Sequence, residues 1–278
     1  AFVIALLMLG IALFVTEYLS EEKIQTKRTM VSILAMVVGC FSKAVYIPFL
    51  ALYWLMPKDK FYSRRQKNLF KAGIFVLLIL MFASFILPLI GNVTSGAEVG
   101  DYRGGDTSQT SQLSMILGYP LTYTGVLLKS LGTTFASYFI GSKVLANFAY
   151  RGIYDGIGYF VVLLTMLFTF VTDFGMTEKI YDAQIKRKIF MMKIWNAVLI
   201  FGTACLVWTA LYLDFTPVGS MVINGVSPRY YLPLIFPLSL IFINQKVRCS
   251  MKLENYQSLI AFLMLIGTGI SIYCLMLA

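Results

Sequence analysis

Lys43 and Arg229 are the residues of this chain best suited to gripping a phosphate. Lys43 lies near the middle of a 27-residue apolar stretch, Met30 to Met56, with basic segments on both sides. An ammonium at the centre of one spanning helix costs about 2.5–3.5 kcal/mol on insertion scales. A path that doubles back avoids that cost. Met30 to Phe41 rises, Ala44 to Met56 descends, and Ser42-Lys43 forms an outer apex where the cation meets water or a phosphate. Arg229 opens another short apolar segment on the same side, in Gly225-Val226-Ser227-Pro228-Arg229-Tyr230-Tyr231-Leu232-Pro233. A guanidinium grips phosphate bidentately, whereas an ammonium acts as a mobile point charge. The plainer reading is that each cation anchors a helix end by snorkelling or pairs with a nearby acid.

A transfer reaction at such a site needs a base. Histidine is absent, which removes Ser-His-Asp hydrolysis, HExxH zinc chemistry and histidine proton relays. Carboxylates remain: Glu98, Asp101, Asp106, Asp155 and Asp214 all fall on the Lys43 side. Asp101 and Asp106, which bracket Tyr102-Arg103-Gly104-Gly105, are the candidate bases, and solvated loop acids are the commoner explanation. Cys40, Cys205 and Cys274 lie in apolar runs and Cys249 in a basic loop, with no CxxC pair. Neither a disulfide framework nor a zinc site is indicated. There is no Walker loop or dinucleotide fingerprint, hence no nucleotide-driven step. No cofactor is assigned, and a divalent metal is left open.

The elements that position these residues are membrane helices. The chain is 59% hydrophobic and 13% charged, with mean hydropathy +0.78, and it carries several apolar runs of spanning length. Spans are predicted at Ala1 to Leu19, the broken pair Met30 to Met56, Gly73 to Ile90, Tyr154 to Val171, Ile194 to Leu213, Tyr230 to Ile243 and Tyr256 to Leu277. With the doubled-back pair, 17 of the 23 Lys and Arg collect on one side. The other side has Arg103, Lys129, Lys143, Arg151 and Arg229, with Lys43 at its apex. A single crossing of Met30 to Met56 reduces the split to 14 against 8. The positive-inside rule therefore favours the hairpin and places the long loop outside the cytoplasm. A net charge of +10 reports orientation here and not nucleic-acid binding. The chain opens inside an apolar run without an initiator Met, so it reads as part of a longer protein.

The loop from Gly91 to Ile153 has two parts. Asn92 to Ser114 is rich in Gly, Ser, Thr and Asp and reads as a flexible lid or a ligand-binding turn; Asn92-Val93-Thr94 also matches a glycosylation acceptor, a pattern that is mostly chance. After Pro120, Leu121 to Ile140 is partly amphipathic, which suits a helix lying in the outer interface; an ordinary spanning helix is the alternative. Aromatics such as Tyr46, Trp54, Trp195, Trp208, Tyr230 and Tyr231 sit near span ends, as an interfacial belt or as sugar-stacking surfaces. Arg64-Arg65-Gln66-Lys67 reads as a topology determinant at anionic headgroups.

Val38-Gly39-Cys40-Phe41-Ser42-Lys43-Ala44-Val45-Tyr46-Ile47-Pro48 resembles a hairpin found in the GT-C superfamily of membrane glycosyltransferases that use polyprenyl-phosphate sugars. Gln112-Leu113-Ser114-Met115-Ile116-Leu117-Gly118-Tyr119-Pro120, Val126 to Leu131, and the Gly225 to Pro233 stretch resemble a bacterial family of predicted membrane proteins, domain of unknown function 2142, similar in architecture to those enzymes. The resemblance implies an all-α polytopic integral membrane protein with a GT-C-like helix bundle, a short broken helix pair and a long extracytoplasmic loop containing an interfacial helix. The resemblance runs from about Met30 to Phe236 and implies a multi-pass protein of the bacterial cytoplasmic membrane; the whole chain reads as a single transmembrane domain over 1–278 with the extracytoplasmic loop at 91–153. The activity implied is sugar transfer from a polyprenyl-phosphate carrier to a glycan acceptor, in building a cell-surface polysaccharide or teichoic-acid decoration. Lys43 and Arg229 would bind the lipid phosphate, and Tyr46, Arg103, Gln112 and Tyr230 the substrate, with Gln112 and the Asp101 to Asp106 loop near the acceptor. The superfamily's catalytic carboxylate follows its first span, which places it upstream of Ala1. A transporter or flippase of lipid-linked glycan, and a non-catalytic subunit of an assembly complex, are the alternatives.

Overall fold

The chain is an all-α polytopic membrane protein. The computed structural model describes residues 2–94, 106–148, 152–172, 183–242, 247 and 249–277. Among the described residues ten α-helices run in order: α1 Phe2–Leu19, α2 Thr26–Cys40, α3 Arg64–Thr94, α4 Gln109–Gly118, α5 Pro120–Phe139, α6 Ser142–Leu145, α7 Ile157–Val171, α8 Ala183–Phe215, α9 Leu232–Phe242 and α10 Leu253–Leu277. Four segments among the described residues are long and apolar enough to cross a membrane: Phe2–Leu19, Arg64–Pro88, Ala183–Phe215 and Leu253–Met276. Shorter apolar helices fill the space between them.

The Met30 to Met56 stretch does double back. α2 ends at Cys40, the chain turns through Phe41 and Ser42, and Lys43 sits in extended backbone before a 3₁₀ helix, Ala44–Leu55. The two ends of the hairpin meet again. Ile24 N donates to Lys60 O (2.9 Å), and Lys23 Nζ donates to Asp59 O (2.8 Å). Tyr18 OH reaches Lys188 O (3.2 Å), and Lys188 pairs with Asp59 (3.7 Å). The segments bearing Lys23, Asp59 and Lys188 thus form one basic end of the bundle, with Lys43 at the opposite end.

The descending limb of the broken helix pair is a 3₁₀ helix and not an α-helix. Pro48 lacks an N–H and in an α-helix would clash with the carbonyl four residues back. The 3₁₀ form also reaches farther. Twelve residues rise about 24 Å at 2.0 Å each, against about 18 Å as α-helix, so a segment too short for an α-helical span covers most of an approximately 30 Å hydrocarbon core. It occupies the middle of the bundle, between α1, α2, α3 and α8, with Tyr46, Ile47, Phe49, Leu50, Leu52 and Tyr53 fully buried.

Small residues let the surrounding helices close in. A Cβ on Gly10 of α1 would lie 2.5 Å from Met36 Cγ and 3.0 Å from Ser32 O, and Ser32 Oγ donates to Gly10 O across that contact. α7 and α10 form an antiparallel pair: Gly158 abuts Gly267 and Ser271, and Thr172 Oγ1 lies 2.7 Å from Tyr256 OH.

Two other expectations need correcting. The Asn92 to Ser114 stretch is not a turn throughout, because α3 extends to Thr94 and α4 begins at Gln109 with Ser108 Oγ accepting from Ser111 N. α3 also starts at Arg64 and not Gly73, so Arg64-Arg65-Gln66-Lys67 is its first turn. A hydropathy window detects the apolar centre of a helix, whereas the backbone ladder continues past it into water. α5 meets α8 at two places fifteen residues apart on α5: Tyr123 OH lies 2.6 Å from Thr209 Oγ1, and the Tyr138 ring stacks on Trp208 at 6.1 Å. Those partners are adjacent on α8, so α5 crosses α8 and does not run beside it.

Lys60 closes the basic end. Its buried Nζ donates to Ser20 O, Ser20 Oγ and Glu22 O (3.0 Å), tying the α1–α2 connection to the turn after the 3₁₀ helix. Replacing Lys60 with Met orphans these acceptors and is expected to cost about 3 kcal/mol. Thermal unfolding in detergent checks this, and an unchanged midpoint would contradict it.

Candidate anion site at the Lys43 apex

Three consecutive residues, Pro228–Tyr230, form a 3₁₀ turn that enters α9. The preceding backbone is shaped by Gly225, whose φ of +78° favours glycine; the Phe215 ring occupies the place where a Cβ would go. Thr216 Oγ1 donates to Leu211 O (3.1 Å) and accepts from Asn224 N (3.1 Å), so the loop is tied to the end of α8. Tyr230 N donates to Ser227 O (3.0 Å) and Tyr231 N to Pro228 O (2.8 Å).

Side chains from three other elements lock the turn. Tyr46 OH, from the buried 3₁₀ helix, donates to Tyr230 O (2.6 Å). Tyr138 OH of α5 donates to Val226 O (3.1 Å). Tyr231 is buried, accepts from Trp208 Nε1 of α8 (2.6 Å), and meets Phe139 and Tyr138 edge-on at 4.8 Å and 5.5 Å. Tertiary contacts thus fix where Arg229 and Tyr230 stand.

Lys43 meets them there. Its Nζ lies 4.2 Å from the centroid of the Tyr230 ring, and Arg229 Cζ lies 5.8 Å from the same centroid. Two cations 186 positions apart in sequence therefore share one aromatic ring. A cation over a ring face gains about 0.5–2 kcal/mol, but the ring carries no net charge and leaves their mutual repulsion in place. The ion pairs Arg28–Glu17 and Lys188–Asp59 are both at the basic end. Among the described residues no carboxylate pairs with Lys43 or Arg229. Burial, and then the Arg229 charge, push the Lys43 pKa below its ordinary value. An anion placed between the two groups would oppose both causes by favouring the charged form of Lys43.

The remaining predicted residues divide. Tyr230 joins the cations directly, while Tyr46 is buried and acts through the Tyr230 carbonyl. Gln112 does not open toward the site: it is fully buried, and its Nε2 donates to Thr216 O (2.9 Å) and Pro217 O (3.0 Å). It positions the loop that leads to Arg229, because a buried amide is drawn to unpaired carbonyls at a helix end. Asp106 is exposed, and its carbonyl accepts from Val218 N (3.1 Å). Glu98, Asp101 and Arg103 lie outside the described residues. Among the described residues no group of three or more His, Cys, Asp or Glu could hold a metal ion. Tyr138 and Trp208 from other helices, and Tyr231 at the turn itself, hold the turn instead of serving only as an interfacial belt or a helix face. Their partners lie on other helices, so local spacing carries no signal for them.

No curated protein and no solved structure matches the chain. The family described as "Predicted membrane protein (DUF2142)" matches residues 1–238, which takes in every element from α1 into α9 and both Lys43 and Arg229. The chain belongs to that family of predicted membrane proteins.

Proposed function

We propose that this protein is a glycosyltransferase-like enzyme of the bacterial cytoplasmic membrane, transferring a sugar from a polyprenyl-phosphate carrier to a cell-surface glycan on the outer face. The observation that supports this is the convergence of Lys43 and Arg229 on Tyr230 at the end of the bundle opposite the basic loops, with no carboxylate partner among the described residues. In the reaction, an acceptor hydroxyl attacks the anomeric carbon. The bond from that carbon to the phosphate oxygen breaks, and its electron pair stays on the phosphate. A carboxylate takes the hydroxyl proton. Lys43 and Arg229 face the negative charge that grows on the departing phosphate, where fixed cations lower the barrier most. The test is transfer of a labelled sugar from a polyprenyl-phosphate donor by the full-length protein. Wild-type rates in both Lys43→Ala and Arg229→Ala would end the assignment.

The lowered Lys43 pKa predicts a pH dependence. Only the ammonium attracts phosphate, so affinity for a polyprenyl phosphate falls as pH rises through the Lys43 pKa, which lies below the ordinary 10.5. For stability the sign is opposite: the folded state disfavours the charged form, so deprotonation on raising the pH removes a cost of folding. Arg229→Gln removes one cause of the depression and is expected to move the binding midpoint upward. Lys43→Arg, whose guanidinium stays charged, is expected to flatten the profile. A binding series from neutral to alkaline pH measures both, and a wild-type profile in both variants would contradict the assignment.

A further inference from the structure

We propose that a second phosphate subsite adjoins the first and shares Arg229 with it, which narrows the polyprenyl-phosphate carrier of the reading above to a lipid-linked diphosphate. The proposal rests on the phosphate-anchoring reading of Lys43 and Arg229 and adds to it. A cavity of about 330 Å³ opens beside the Arg229 turn, lined by Lys143, Val144, Asn147, Ser227, Arg229 and Leu232. This is within the range of small-molecule sites, about 300–1,000 Å³. Among the described residues its polar groups are two cationic side chains, an amide and a hydroxyl, and no carboxylate lines it.

Lys143 is held in place by a braced turn. Val144 on α6 and Ala146 directly after it are buried, and Asn147 Nδ2 donates to Lys143 O (3.2 Å). Tyr154 N donates to Ala146 O (3.0 Å), Phe148 N to Gly152 O (2.9 Å), and Tyr159 OH to Ile140 O (2.9 Å). The segment is pinned at both ends, with Lys143 exposed at the cavity wall. Nor does orientation in the bilayer account for it, because Lys143 is one of the few cations on the basic-poor side of the chain.

Charge counting separates one phosphate from two. Lys43, Arg229 and Lys143 bring three positive charges around Ser227 to Tyr230 with no carboxylate partner among the described residues. A terminal phosphate monoester carries about −1.5 to −2 at neutral pH, and a second, bridging phosphate adds about one more negative charge. The released diphosphate balances the cluster; a monophosphate leaves it cationic. Arg229 is the natural bridge, since its five N–H donors can face two phosphates at once, and it shares the Tyr230 ring with Lys43 and the cavity wall with Lys143.

The experiment measures binding of decaprenyl phosphate and decaprenyl diphosphate to the full-length protein in detergent. Wild type is expected to favour the diphosphate by about tenfold or more. Lys143→Ala and Lys143→Gln are each expected to reduce that preference about tenfold, whereas Lys43→Met weakens both ligands together. Lys143 is exposed, so both variants should fold, and the Gln variant isolates charge from bulk. An unchanged preference in both Lys143 variants overturns the second subsite alone. Failure of wild type to bind either lipid overturns the phosphate-anchoring reading as well. Inorganic pyrophosphate distinguishes the sources: competition that depends on Lys143 indicates a subsite that reads the free anion, and absence of competition, with the lipid preference intact, indicates a phosphate delivered on its lipid.

Discussion

Lys43→Met is expected to lower sugar transfer by about a hundredfold or more. Truncating one member of a desolvated charge pair costs about 2–5 kcal/mol, and each 1.36 kcal/mol is tenfold in rate. The loss is expected mainly in kcat, because charge on the departing phosphate is greater in the transition state than in the bound donor. Lys43→Arg keeps the charge but replaces a compact ammonium with a planar fork. That fork cannot sit over the Tyr230 ring in the same way, so an intermediate loss of about tenfold is expected. Single-turnover kinetics separate the two parameters. A change confined to KM would mean that Lys43 holds the donor without assisting its departure.

Tyr231→Ala should be the most damaging single change to the architecture of the site, although Tyr231 touches no cation. Removing a buried aromatic ring costs about 3–5 kcal/mol, and here it also strands Trp208 Nε1, whose 2.6 Å bond to Tyr231 OH is buried. The melting midpoint in detergent is expected to fall by about 10 °C. The Arg229 turn, now held by Tyr46 and Tyr138 alone, loses phosphate affinity with it. Tyr231→Phe keeps the ring contacts with Tyr138 and Phe139 and orphans only the indole N–H, for about 1–3 kcal/mol. Equal melting of Tyr231→Ala and wild type would show that the aromatic clamp does not hold the turn.

The doubled-back path of residues 30–56 was legible from charge alone. An ammonium in an apolar stretch is costly, basic loops gather on one side, and both constraints act on short range and composition. The same reasoning made Lys43 and Arg229 the candidate cations, since guanidinium and ammonium chemistry is a property of the residue. Their shared ring was not legible. Tyr230 is their meeting point only because Tyr46, deep in a 3₁₀ helix, takes hold of the Tyr230 carbonyl. The form of that helix depends on its being enclosed by α1, α2, α3 and α8, where a stretched rise is compensated by burial on every side. Gln112 shows the limit from the other direction: its type suited a sugar hydroxyl, yet the fold turns its amide onto Thr216 and Pro217.

The order of residues by itself therefore determined that this chain lives in a membrane, that the segments bearing Lys23, Asp59 and Lys188 share a side, and where positive charge is too costly to be accidental. Hydrophobic transfer and charge placement are sums over local composition, so they survive without coordinates. Only the tertiary structure decided which cations face each other and which polar side chains are spent on holding the backbone. Those outcomes depend on contacts between residues tens to hundreds of positions apart, and a hydrogen bond or a stacked ring requires a distance that composition does not set.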